Sequence, residues 1–107
     1  MSYGLESDRD YPFTGKDDQK CTYNKENVIC EIKGYTVITP GNETELVLAI
    51  ANNGPIPVGI DAGQPSFQFY QSGIYYEPNC SQNIDHLVLV VGYGTINNND
   101  YYIVKNR

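Results

Sequence analysis

Tryptophan is absent from these 107 residues, and there is one methionine, one histidine and three cysteines. A single histidine and three cysteines with no C-x-x-C pair leave no tetrahedral ligand set, so a metal site is not expected, and no cofactor is implied. Basic residues are also few, seven against thirteen acidic, for a formal net charge of −6. No cluster of Lys and Arg is dense enough to neutralise a row of phosphates, which excludes a nucleic-acid partner. Long apolar runs are missing too. Runs such as Leu87–Val91 fall far short of the roughly 20 residues that span a bilayer, and no basic segment followed by an apolar one opens the chain. Neither a membrane partner nor a leader is therefore expected in this stretch.

What is present is a chain long enough for one small domain, with 40% hydrophobic side chains and ten tyrosines. The odd cysteine count, Cys21, Cys30 and Cys80, together with two sequons, Asn42-Glu43-Thr44 and Asn79-Cys80-Ser81, fits an oxidising, extracellular-type setting. An odd cysteine then seeks a partner elsewhere or stays a free thiol.

Local patterning predicts the elements. Residues 1–27 mix Gly, Pro, Asp, Lys and Tyr without period and read as an irregular segment. The β-branched and aromatic residues between Cys30 and Thr39 predict a strand stopped by Pro40-Gly41. Asn42 is placed to cap a helix whose first turn carries Glu43 and Glu45, whose buried stripe is Leu46, Val47 and Ile50, and which ends at Asn52-Asn53-Gly54-Pro55. Ile56–Asp61 predicts a strand, "GQPSFQFYQSG" a turn and one helical turn, and "GIYYEPNC" an aromatic arm. His86–Tyr93 predicts a nearly all-apolar strand and Tyr101–Lys105 its return, joined by a loop over Thr95–Asp100. A strand apolar on both faces calls for cover on both sides, at the centre of a sheet.

The hairpin makes the chemistry legible. His86 starts its first strand and Asn106 follows the second, so closure brings an amide oxygen towards an imidazole. Such an amide fixes the tautomer through one ring nitrogen and leaves the other to exchange a proton with a thiol or hydroxyl. The plainer reading is a polar histidine at a strand end, and spacing alone does not choose between them.

"DHLVLVVGYG" followed by "DYYIVKN" resembles the C-terminal lobe of papain-like cysteine proteases, closest to the cathepsin L-like branch. "YGLESDRDYPFTG", "CTYN", "NGPIPVGIDAG" and "SFQFYQSGIYYEPNC" resemble the same branch in the same order, so the likeness covers essentially the whole chain. It implies an α+β fold, an antiparallel barrel-like sheet with one helix, forming part of the right lobe over 1–107. It further implies a cysteine-type endopeptidase in which His86 pairs with a thiolate from the other lobe and Asn106 orients it. Gly59, Ile84, Asp85 and Leu87 fall where substrate binds, and Leu87 stands where the family usually has a smaller residue, so it either narrows the pocket or is accommodated by a compensating cavity elsewhere.

The family's C-G-S-C-W nucleophile segment and its preceding oxyanion glutamine do not occur in these residues. The resemblance pairs Cys21 with a cysteine of the absent N-terminal lobe and Cys80 with one of the absent tail. Cys30 has no counterpart, and a Cys21–Cys30 bridge is sterically feasible. "MSYG" resembles the last turn of an N-lobe helix, and the Ser-Trp-Gly expected after the asparagine is replaced by Arg107, so truncation at both ends is expected. Partners so implied are a peptide or protein substrate, the N-terminal lobe with the catalytic cysteine, and cystatin-like or propeptide inhibitors, in a lysosomal or extracellular location. The chain alone is expected to be inactive. The competing expectation is a natural one-lobe protein that binds proteases, propeptides or inhibitors without cutting, and whose open apolar face needs a partner.

Overall fold

The computed structural model describes residues 4–17 and 19–107, which divide after Val37 into two compact units. In the first, β1 (Gly4–Glu6) pairs antiparallel with β2 (Val28–Glu31), Leu5 facing Cys30, and a 3₁₀ turn at Lys25–Asn27 leads into β2. Asn24 caps that turn with its side chain, and its own N–H donates to the Glu6 carboxylate at 2.9 Å. A ladder therefore forms within a segment whose composition predicted none. The strand expected over Cys30–Thr39 is displaced as well. Pairing begins at Val28 and stops at Glu31, and the β-branched residues beyond it carry no ladder, with Tyr35 91% exposed. Strand preference is largely a preference for a pleated, half-buried surface, and residues 32–39 have no such surface. The expected helical turn at "MSYG" lies mostly outside the described residues; its last residue, Gly4, opens β1.

The second unit opens with the one long helix, α1 (Glu43–Asn53). Asn42 accepts the Glu45 N–H at 3.0 Å, and the Glu45 carboxylate in turn accepts from the Thr39 N–H and the Asn42 amide, so both side chains satisfy groups at the helix start. Gly54, at φ 92°, closes the other end and donates its N–H to the Ile50 carbonyl at 2.9 Å. Ile50 is buried and Leu46 and Val47 are half-buried, as the helical spacing predicts.

The sheet runs β3 (Ile56–Ile60), β4 (His86–Ile96), β5 (Asn99–Lys105), antiparallel throughout, with β4 in the centre. A short helix, α2 (Pro65–Gln68), follows β3. β4 and β5 are joined more tightly than the sequence suggests. The turn is the pair Asn97-Asn98, with φ 49° and 61°, the two positive values that a type I′ hairpin requires and that asparagine tolerates. Ile56, Val58, Val88 and Val90 share the face that packs against α1, and Val90 is 2% exposed. The opposite face of β4 is open, Leu87 being 74% exposed, so the expected cover is present on one side only.

Where β3 ends and β4 begins, two aspartates tie the chain to itself. Asp61, 8% exposed, is the one buried polar residue among those described. Its carboxylate accepts the Ser81 hydroxyl at 2.8 Å, the Ser81 N–H at 2.9 Å, the Gly63 N–H at 3.0 Å and the Gln64 amide at 3.2 Å. Asp85 reaches the other way, accepting the Ala62 N–H at 2.7 Å while its own N–H donates to the Ile60 carbonyl at 3.1 Å. With four donors and, among the described residues, no cation in contact, the Asp61 carboxyl is held at about 2 rather than 3.8, the Ser81 N–H contributing most and the Ser81 hydroxyl next.

A carboxyl depressed by folding stabilises the folded chain above its unfolded value and ceases to do so as pH falls through its folded value. Unfolding free energy should therefore drop between pH 3.8 and about 2, and chemical denaturation of Asp61→Asn over that range should show a flatter profile. Loss of the cap in Asn42→Ala should cost about 1 kcal/mol, read as a lowered thermal midpoint, with Asn42→Asp recovering most of it.

Candidate active site

His86 is the first residue of β4 and stands opposite Ile60, where the double aspartate tie holds the strand's start. Asn106 follows the last residue of β5. What brings them together is a one-residue irregularity in β4: Tyr93 pairs with Tyr102 and Gly92 with Ile103, but Val90 pairs with Val104, leaving Val91 unopposed. Each residue of slip changes the face a side chain points to. Continuing the bulged register sets Asn106 across from Val88, on the face that His86 shares, whereas the unbulged register would set it across from Leu89 on the other face.

The result is a hydrogen bond of 2.7 Å between His86 Nε2 and Asn106 Oδ1. An amide oxygen only accepts, so Nε2 carries a proton, and in the neutral ring Nδ1 keeps its lone pair. Among the described residues nothing bonds to Nδ1. Both residues expected to carry the chemistry are thus together.

Beside the imidazole lies an open concavity of about 430 Å³ lined by Ala62, Phe67, Gln68, Asp85, His86 and Asn106. Phe67 and Gln68 come from α2, which Pro65 starts with its φ already suited to a helix. Tyr75 props this helix from behind. Its ring meets Phe67 edge to face at 5.5 Å and Tyr70 at 6.1 Å, and its hydroxyl lies 2.9 Å from that of Ser66. Ser66 also donates to Glu77 at 2.5 Å, and this bond, followed by the Asn79 N–H, holds the Glu77 carboxyl below its ordinary range.

The four residues expected near substrate divide between two places. Asp85 lines the concavity, its side chain engaged by Ala62. Gly59, Ile84 and Leu87 gather on the open sheet face: Gly59 pairs with Leu87, and a Cβ on Gly59 would meet Ile84 Cγ2 at 2.6 Å. Only glycine admits that contact. Cys21, Cys30 and Cys80 are all exposed and unpaired, the feasible Cys21–Cys30 bridge is not formed, and none of the three lines the concavity. Sequence reasoning missed Asp61, Ser81, Ala62, Phe67 and Gln68. "SFQF" is readable as a helical turn, but nothing in the pattern aims two of its side chains at His86.

Known proteins match along this whole chain. The family model described as papain family cysteine protease covers residues 1–107. Human cathepsin L2 is 51% identical over 108 aligned residues, covering 96% of this chain and 32% of that protein. A cathepsin L-like protein of Caenorhabditis elegans is 46% identical over 98% of the chain and 32% of its own length. Among solved structures, the digestive procathepsin L 3 of Tenebrio molitor larval midgut superposes with a TM-score of 0.91 at 37% identity, covering 97% of this chain and 34% of that one. The chain thus spans about a third of the length of the relatives it matches. Its mixed α+β architecture, two antiparallel sheets and one main helix, is that of part of a papain-like fold, and the chain belongs to the papain family of cysteine proteases.

Proposed function

We propose that this chain supplies the imidazole half of a cysteine endopeptidase, with His86 as general base and acid, Asn106 as its orienter, and the thiolate nucleophile on a lobe outside these 107 residues. The observation that carries the reading is the 2.7 Å bond from His86 Nε2 to Asn106 Oδ1, which leaves Nδ1 unoccupied beside a concavity.

Each step follows from that arrangement. Nδ1 takes the proton of a facing thiol, and the imidazolium so formed stabilises the thiolate and lowers its pKa. The thiolate adds to the scissile carbonyl carbon, the C–N bond breaks, and Nδ1–H passes its proton to the departing amine. Water then attacks the thioester, His86 accepting its proton, and the carboxylic acid leaves as the thiol is restored. Asn106 holds the ring in one orientation throughout, since ring rotation would forfeit its hydrogen bond. Asp85 walls the concavity, and Gly59, Ile84 and Leu87 contact the bound peptide from the sheet face. The large exposed Leu87 narrows the space there, favouring small side chains on the substrate.

Cys21 and Cys80 form disulfides with cysteines outside the chain. Peptides and proteins are the substrates, propeptide and cystatin-like proteins the inhibitors, and the location is lysosomal or extracellular. The procathepsin likeness supports the propeptide partner in kind.

The 107 residues alone should give no turnover of a fluorogenic dipeptide that thiol alkylation suppresses; turnover abolished by His86→Ala would refute the assignment of the nucleophile to another lobe. The native protein, captured with an antibody to "GQPSFQFYQSG" and deglycosylated, should have at least about twice the 12.0 kDa of this chain, as a two-lobed domain requires. It should show alkylation-sensitive peptidase activity that His86→Ala lowers by about 10²- to 10⁴-fold. A 12.0 kDa species without peptidase activity would sink the enzyme reading.

A further inference from the structure

We infer that Asp61 is a positioning residue for His86, acting through Ser81 and the segment that leads into β4. The inference rests on the reading of His86 as a proton-transfer group and adds to it the device that sets where the ring stands.

Three observations converge. First, Asp61 directs all four of its hydrogen bonds at two short segments, Gly63-Gln64 and Ser81, through two backbone N–H groups and two side chains. One of its oxygens takes the Ser81 hydroxyl, the Ser81 N–H and the Gln64 amide, and the other takes the Gly63 N–H. A buried carboxylate that met no positional demand would be an expensive way to close a loop, because burying a charge is costly unless fully hydrogen-bonded. Second, the tie is reciprocal. Asp61 leaves β3 and seizes Ser81, while Asp85, four residues after Ser81, seizes Ala62, the neighbour of Asp61. The Ser81 hydroxyl also accepts the Asn83 N–H at 3.1 Å, so residues 81–85 have hydrogen bonds at both ends and in the middle. Third, what emerges from this clasp is His86 itself, the next residue, opposite Ile60. The ring reaches Asn106 only if the start of β4 is fixed in both register and direction, and β4 has no preceding strand residue to do that.

Every hydrogen-bond partner of Asp61 is a donor, so an isosteric amide does not reproduce the carboxylate's set of bonds. In Asp61→Asn the NH₂ must face at least one donor and the remaining amide oxygen accepts more weakly than a carboxylate, so the clasp is weakened with almost no change in volume. Because His86 is the only histidine in the chain, its imidazole resonances need no assignment. Nitrogen-15 spectra of the full chain should show Nε2 protonated and Nδ1 bare in the native sequence. Asp61→Asn should lower that tautomer preference by about fivefold, the weight of one net hydrogen bond, while the methyl resonances of Val88 and Val90 stay in place. Ser81→Ala should give the same change in smaller measure, and Ser81→Thr, which keeps the hydroxyl, should restore the native ratio.

If the Ser81 amide resonance moves in Asp61→Asn while the imidazole and the Asn106 side-chain amide do not, the positioning role is wrong. Should Asp61→Asn fail to fold, the Ser81 pair decides: an unaltered imidazole in Ser81→Ala overturns the inference. No turnover is needed for this readout. A native protein lacking peptidase activity yet showing the tautomer shift would refute the proposed reaction and leave the positioning role standing.

Discussion

A single unopposed residue in the central strand governs the site. With Val91 bulged, the hairpin returns Asn106 to the face that carries His86. Period-two alternation makes this all or nothing, since a one-residue change of register moves a side chain by a whole sheet thickness rather than by a fraction of an ångström. The type I′ turn at Asn97-Asn98 fixes the count of residues from one end, and the bulge corrects it at the other. The 2.7 Å bond between His86 and Asn106 is the sum of those two backbone decisions.

The remainder of the second unit holds that hairpin in place. α1 buries Ile50 near Val88 and Val90, the valines that alternate with Leu87 and Leu89 along β4. The aspartate clasp fixes the point from which β4 starts. Packing thus restrains the strand along its length and hydrogen bonds restrain its origin, a division suited to a histidine sitting at the very first position. A strand end is ordinarily where a sheet frays.

Much of this is legible in the residues themselves. The helix was readable from its cap, its acidic first turn and its apolar stripe, because each is a local interaction within one or two turns. His86 and Asn106 are readable as a pair from the hairpin between them, although spacing alone leaves the polar strand end in contention. Two elements were misplaced for one shared reason. The ribbon of Gly4–Glu6 with Val28–Glu31 joins residues more than twenty apart, so composition near either strand says little about it, and Ile32 to Thr39 looks like a strand but finds no partner. Three consecutive asparagines suggest an open loop over Thr95–Asp100, while two of them suffice for the left-handed turn.

Local chemistry in the sequence therefore determined the family, the helix, the central strand and the identity of the imidazole and its amide, since each depends on neighbours in the chain or on an ordered set of motifs. Tertiary structure alone decided which face each side chain occupies, that Asp61 is a buried acceptor for Ser81 rather than a surface charge, and that Phe67 and Gln68 wall the space beside His86. Those outcomes hang on strand register and on donors twenty residues away, and an aspartate in a sequence carries no mark of how many hydrogen bonds will converge on it.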